Sequence, residues 1–498
     1  MPALRRALLV SAATLPGLAA AAPASALPFD TGDLVVSSSV YAGTASTVTV
    51  GQTLPGGGMA VANGTYPGVF ANSAQDGSFG VTSPITLTEI TPTGGTVGTL
   101  AVPTSQIVTS FSSKSELALN LSTDGHAITF MGYAAPVNAL DVSNSNTATA
   151  VDPTNPVKAS YSRSRAVAQL NADGSLQVTP VNAYSGNNGR AAILANGSYL
   201  LAGNAGNGSN PEPASVAAQG GVQIATPGQA TTQQIGNFSI TQVTNPATGQ
   251  PYPPDKQPKD NNFRGETISG NTLYVSKGSG GNGIDTVYQV GLSGTLPTAA
   301  GGTATPITIL PGFPTGLATT NTANLYPFGL FFANSSTLYV ADEGVQGLGA
   351  DPNAGLQKWS LVNGVWQLDY VLQDGLNLDQ AYGVAGYPTA DDPATTGLRN
   401  LTGEVNADGT VTLYAVTATY SASGDPGADP NGLVAITDTL GDTALPTNET
   451  FSTVVAPTFG TVVRGVAFTP AAVPEPGTLA LLGAGLLSLV AMAGRRRA

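Results

Sequence analysis

Five basic residues recur at matching places along this chain. Lys114, Arg190, Arg264, Arg399 and Arg464 each sit at or next to the start of a similar stretch of sequence, and successive starts lie about 63 to 75 residues apart. Gathered into one ring, they would focus an anionic ligand such as a carboxylated sugar, inside a chain whose formal net charge is −13. The alternative is structural. Each would then hydrogen-bond the carbonyls of a neighbouring unit, or pair with an acid such as Glu266 or Glu404.

Other residues that could do chemistry are sparse. Three carboxylate pairs lie in Gly/Pro-rich loops: Asp342 with Glu343, Asp391 with Asp392, and Asp425 with Asp429. Their hard oxygens suit Ca2+, but none has EF-hand spacing, and solvated loop acids are the preferred reading. No metal ligand and no cofactor are assigned, with a structural Ca2+ left open. Paired acids could also cleave a glycosidic bond, yet adjacency in sequence does not set their separation in space. Gly278-Ser279-Gly280-Gly281-Asn282-Gly283 satisfies G-x-G-x-x-G but leads into a strand-like Ile284–Tyr288, where a dinucleotide site needs a helix N-terminus. It reads as a β–β loop. His126 is the one histidine and follows Asp124-Gly125 in a turn; cysteine is absent, and no G-x-S-x-G elbow supplies a nucleophile. Catalytic residues are left unassigned, and a binding protein is favoured over an enzyme. Trp359 and Trp366 flank the Asn363-Gly364 turn and are expected to pack inside the fold, with sugar stacking as the lesser option.

The elements that would position the basic residues are strands. Asp124-Gly125, Asp173-Gly174, Asn196-Gly197, Asn363-Gly364 and Asp408-Gly409 each separate short apolar runs, as two-residue hairpin turns do. Aligning them exposes a loose repeat with starts at Lys114, Gly189, Phe263, Tyr326, Arg399 and Val463. The last unit is truncated at Thr469-Pro470, while an orphan strand, Asp33–Ser37, stands near the front. Pairing the two would close a ring and remove exposed edges. The expected fold is therefore all-β, a six-bladed β-propeller with loop insertions such as Ala205–Pro213 and Pro246–Asn262. A seventh blade would fit between Leu54 and Glu89, and a two-sheet sandwich array is the competitor. If each unit opens on the innermost strand, the five basic residues ring one mouth of the central channel.

Both ends read as addresses. Arg5 and Arg6 precede an apolar stretch to about Ala22, and Ala24-Ser25-Ala26 offers small residues for cleavage after Ala26, so residues 1–26 are a secretory signal peptide and residues 27–472 the body. The last 26 residues run Pro474-Glu475-Pro476, an uncharged Leu/Ala/Gly-rich helix, and Arg495-Arg496-Arg497. A short membrane anchor with its arginines on the cytoplasmic side is one reading. These three parts, in order, also resemble the PEP-CTERM sorting tail of Gram-negative bacteria, which implies cutting by an exosortase-type membrane protease and a destination at the cell surface or in extracellular polymer. The body resembles secreted bacterial propeller proteins through its Leu-Tyr-Val strands and the Gly355–Leu361 run.

Composition narrows the partners. Removing the two ends leaves 12 basic and 29 acidic residues, about −17 for the body. Such a surface repels nucleic acid and anionic lipid, so contact with a membrane is expected only through the C-terminal segment before cleavage. The expected role is binding or structural, in a surface or biofilm-associated exopolysaccharide matrix. A propeller hydrolase or lyase acting on polysaccharide or lactone is the first alternative. An adhesion protein with a protein partner is the second.

Overall fold

Asn-Gly and Asp-Gly dipeptides favour the positive φ values that tight hairpins need. In the computed structural model, Asn196 and Gly197 adopt φ of 49° and 74°, and Asn363 and Gly364 adopt 52° and 81°. The structure describes residues 29–472 apart from 115, 158–160, 208–211, 321–324 and 346–350. The signal segment with Ala24 and Ala26 lies outside the described residues. So does the tail with Pro474, Glu475, Pro476, Arg495, Arg496, Arg497 and its expected helix.

Six four-stranded antiparallel sheets follow one another along the chain. Blade 1 is Asn120–Leu121, Ala127–Tyr133, Arg165–Asn171 and Leu176–Val181. Blade 2 comprises Gly189–Ala195, Ser198–Gly203, Gly221–Ala225 and Thr232–Gln234. Blade 3 runs through Glu266–Ser269, Thr272–Lys277, Thr286–Val290 and Ile307–Ile309. Blade 4 uses Pro327–Asn334, Thr337–Asp342, Gly355–Val362 and Val365–Leu372. Blade 5 has the longest strands, Ala394–Val405 and Thr410–Tyr420, followed by Leu433–Thr439 and Ser452–Val455.

Blade 6 is built from both ends of the chain. Its innermost strand, Thr461–Phe468, pairs antiparallel with Leu34–Val40, from Leu34 opposite Phe468 to Val40 opposite Thr461. Ile85–Ile90 and Thr96–Ala101 complete it. The expected ring closure is thus present, and the fold is a six-bladed β-propeller. The closing strand shows why its sequence is apolar at consecutive positions. Val35 faces blade 1 in a cluster with Ile128 and Phe130, whereas Leu34 and Val36 face blade 5 beside Tyr414 and Val416. Both faces of the strand are buried, so strict alternation with polar residues is lost. Each such buried side chain contributes roughly 1.5–3 kcal/mol.

The first strands of the six units contact one another in turn around the ring. They approach closely because glycine follows or stands among the opening residues. A Cβ on Gly465 would meet the Leu117 carbonyl at 2.2 Å, and one on Gly329 the Arg399 carbonyl at 2.5 Å.

No seventh blade lies between Leu54 and Glu89. Residues 41–84 instead form an insertion between the second and third strands of blade 6. It lacks the alternation that would support a sheet, and its ladders are only isolated bridges and the two-residue pair Thr82–Ser83 with Thr109–Ser110. It is a cap with its own core: Val48, Leu54, Val69, Phe70 and Phe79 pack with Phe111, Ala428 and Val462. Tyr66 Oη donates to the Ala428 carbonyl at 2.9 Å, and Ser73 Oγ to the Gly424 carbonyl at 2.8 Å. Trp359 and Trp366 pack inside as expected, Trp359 stacking on Phe313 with centroids 4.0 Å apart. Among the described residues no helix is long and apolar enough to cross a membrane.

Candidate functional site

The opening residues of the inner strands meet at one end of the channel. Lys114, Arg190 and Arg264 line a cavity of about 680 Å3 there, together with Ser112, Asn144, Asn188 and Asp425, and the cap closes one side with Asp76 and Ser78. Arg399 and Arg464 belong to the same cationic end but do not line that cavity. Arg399 Nε donates to Glu343 Oε2 at 3.2 Å. Arg464 Nη2 donates to the carbonyls of Phe111 and Gly427, the first at 2.6 Å. Five blades thus supply a cation to this end. Blade 4 supplies Glu343, an acid, from the end of its second strand.

Partners divide these side chains by task. Arg190 Nη1 donates to Asn262 Oδ1 and, at 2.7 Å, to the Phe263 carbonyl, tying blade 2 to the lead-in of blade 3. Arg264 donates to Ser279 Oγ at 2.7 Å and lies over the Phe328 ring at 5.6 Å. Arg464 is held by carbonyls and Arg399 by Glu343, so the structural role applies to most of the ring. The acids named as partners on sequence grounds do not serve. Glu404 is exposed, and both oxygens of buried Glu266 lack a hydrogen-bond partner among the described residues. Lys114 differs from the arginines: its ammonium makes no hydrogen bond or ion pair among the described residues, and it faces the cavity half-buried.

Charge at this end is strongly coupled. Burial opposes ionisation of Glu343, but Lys114, Arg264 and Arg399 together bring its carboxyl down to about 2. The Glu343 charge holds the Lys114 ammonium up, while burial and the guanidinium groups of Arg399 and Arg264 outweigh it and lower its pKa. Burial pushes Arg190 and Arg464 down to about 9, which leaves both charged at neutral pH. Glu116, two residues beyond Lys114, is buried and saturated. It accepts from Tyr133 Oη, from Thr109 Oγ1 at 2.9 Å, from Ser110 N at 3.2 Å and from Asn188 Nδ2 at 2.9 Å. Burial raises its pKa despite these donors.

Below this mouth the channel narrows to a void of about 10 Å3 bordered by Glu266, Asn120 and Asn400. It reopens at the far end into a cavity of about 330 Å3 lined by Leu121, Ile193, Ile268, Phe331, Thr402 and Phe468, with no charged side chain among its lining residues. A side chamber of about 280 Å3 adjoins the cationic mouth through Asn187 and Asn207, and Lys256, Lys259 and Asn262 also border it.

The remaining candidates are dispersed. Asp342 is consumed by the Tyr326 and Gly344 amides and Gln357, and Asp429 by Tyr387, Ser421 and Ser423. Asp425 Oδ1 accepts from the Gly427 amide at 2.8 Å. Among the described residues, the three carboxylates that converge are Asp30, Asp33 and Glu89, whose ligand atoms lie within 4.8 Å of one another at the seam, away from the channel. His126 is half-buried, and its Nδ1 lies 2.7 Å from the Ala471 carbonyl. Glu343 as the hub of the cations escaped the sequence reading because 56 residues separate it from Arg399. The cap escaped it because nothing in residues 41–84 marks which face of the ring they cover.

Residues 472–497 match the PEP-CTERM protein-sorting motif. Comparison with curated proteins by sequence finds no match. Among solved structures, the chain is similar to a GH74 enzyme of Niastella koreensis at 10% identity and a TM-score of 0.33, covering 86% of this chain and 47% of that one. It therefore spans about half the length of that enzyme. It is similar to the periplasmic gluconolactonase of Pseudomonas aeruginosa at 12% identity and a TM-score of 0.34, covering 88% and 100%. A PL25 ulvan lyase is similar at 13% identity and a TM-score of 0.30, covering 77% and 89%. The sorting motif implies processing by an exosortase and a surface or extracellular destination in a Gram-negative bacterium. The chain is an exported six-bladed β-propeller that carries a PEP-CTERM sorting motif.

Proposed function

We propose that the cationic mouth binds an anionic ligand, and that this ligand is a carboxylated exopolysaccharide at the cell surface or in the biofilm matrix. The observation that carries this reading is Lys114, a cation with no hydrogen bond or ion pair among the described residues, in a cavity walled mainly by hydroxyls and amides, with Arg190 and Arg264 set against two carboxylates, Asp76 and Asp425. A cavity of about 680 Å3 has the size of a small-ligand pocket. Arg190, Arg264 and Lys114 would meet carboxylates, while Ser112, Asn144 and Asn188 are suited to sugar hydroxyls. The role is binding, with the propeller as a rigid ring that holds the site.

The test mixes purified protein with the producing cell's exopolysaccharide and follows co-sedimentation and release of smaller saccharides. Retention is expected, weakening as salt rises because the attraction is screened. Lys114→Ala should lower retention about tenfold while the protein stays folded, since Lys114 makes no hydrogen bond among the described residues and Arg264 and Arg399 still face Glu343. Depolymerisation would favour the hydrolase or lyase reading instead. Retention that is absent, or untouched by Lys114→Ala, overturns the assignment and directs the search to a protein partner.

A further inference from the structure

A second cluster lies on the wall of the same cavity, where the cap meets blade 1, and none of its members serves the cationic ring. Asp141 is fully buried, and among the described residues neither of its carboxylate oxygens has a hydrogen-bond partner of good geometry, the Asn144 side chain being the polar group nearest to it. It is also a non-glycine residue at φ 54°. Its backbone is pinned from the cap, its amide donating to the Gly80 carbonyl at 2.8 Å, and Leu140 bridges Val81. The groups acting on its carboxyl are the Asp76 carboxylate and the Asn144 side chain, and no cation is among them. Asn144 Nδ2 donates to Ser78 Oγ at 2.6 Å, and Ser78 Oγ lies 3.5 Å from Asp76 Oδ1. Asp76 Oδ2 in turn accepts from the Gly56 amide at 2.7 Å.

A buried carboxylate with no partner is costly, by several kcal/mol unless something neutralises it. A proton on Asp141 would remove one charge, but the Asp76 carboxylate beside it would remain. A second carboxylate beside it makes matters worse. A divalent ion resolves both. We infer that Asp76, Ser78, Asp141 and Asn144 form a Ca2+ site that fastens the cap to blade 1. The donor set is hard oxygen throughout, once the Asn144 amide turns to present Oδ1, and it contains no sulfur or imidazole. Asp76, Ser78 and Asn144 also line the large cavity, which gives the ion a route in and water to complete six to eight ligands. The ion would lie on the polar wall beside the mouth and would not touch the cationic ring.

The test uses the purified protein stripped with EGTA, titrated calorimetrically with CaCl2 and melted with and without the ion. The expected result is Ca2+ binding with a rise in Tm. Asp141→Asn should weaken that binding at least tenfold and abolish the rise, while its Tm in EGTA is kept or increased because a buried charge has gone. Asp76→Asn should weaken binding in the same direction. Glu89→Gln, in the separate acid cluster at the seam, should leave the titration unchanged. Absence of Ca2+ binding overturns the inference. So does binding that survives Asp141→Asn and disappears in Glu89→Gln.

Discussion

The two ends of the channel are made from the same six strands and share almost no chemistry. At one end stand Lys114, Arg190, Arg264, Arg399, Arg464 and Glu343; at the other stand Leu121, Ile193, Ile268, Phe331, Thr402 and Phe468. All six inner strands start at the charged end and finish at the apolar one. The connections follow the same polarity. Tight turns such as Asp124-Gly125, Asn196-Gly197, Asp173-Gly174 and Asn363-Gly364 lie on the apolar face, joining first to second or third to fourth strands. The long excursions, including the cap, join second to third strands or one blade to the next and gather on the charged face. One face is therefore closed off economically and the other carries variable, polar loops over a rigid frame, the usual arrangement for a binding surface. The narrow neck at Gly265, Gly329 and Gly465 keeps the two ends separate.

That contrast can be broken at three heights of the channel. The largest effect is expected at the charged mouth. Arg399→Met leaves Glu343 buried without its hydrogen-bonded cation and should cost roughly 3–5 kcal/mol, read from the denaturant midpoint. Because Glu343 is held at about 2, below its ordinary 4.5, it contributes stability that is present above pH 4.5 and lost as pH falls towards 2. Arg399→Met should shrink that acid transition, and a loss under about 1 kcal/mol would show that Lys114 and Arg264 suffice.

The neck should respond in the opposite sense. Burial alone raises the Glu266 carboxyl well above its ordinary 4.5. The folded state therefore retains a proton that the unfolded state releases, and stability declines as pH rises above 4.5. Glu266→Gln should remove that decline and raise stability by about 1–2 kcal/mol at pH 8. An unchanged pH profile would mean that Glu266 is neutralised by something other than a proton. The smallest effect belongs to the apolar mouth. Thr402→Arg places a cation at a partly exposed strand position and should shift stability by no more than about 0.5 kcal/mol. Exopolysaccharide retention should not rise. If it does, charge alone governs binding and the shape of the upper cavity contributes nothing.

The tight-turn face was the legible half of the molecule. Asn-Gly and Asp-Gly dipeptides report a local backbone requirement, so five of them marked hairpins without knowledge of what those hairpins touch. Repetition of basic residues at unit starts then placed Lys114 and Arg190 at one end of the ring, because a strand's first residue has a defined height in a propeller. The other half depends on contacts between distant residues. Glu343 looks like half of a loop acid pair until blade 5 brings Arg399 against it. Asp141 lies in an ordinary stretch, Asn138–Asn144, and becomes unusual only when the cap buries it. Glu266 was expected to pair with an arginine, whereas its side chain points into the neck, below the guanidinium groups.

The seam in blade 6 also sets a timetable. Leu34–Val40 is the first strand of the propeller in chain order, and its inner partner Thr461–Phe468 is the last. Until that partner arrives, the ring stays open along a complete strand edge, however well the blades between have folded. Closure therefore waits for the strand that ends at Phe468, just ahead of the sorting motif at residues 472–497. An enzyme acting at the sorting motif would therefore work within a few residues of the strand that shuts the ring.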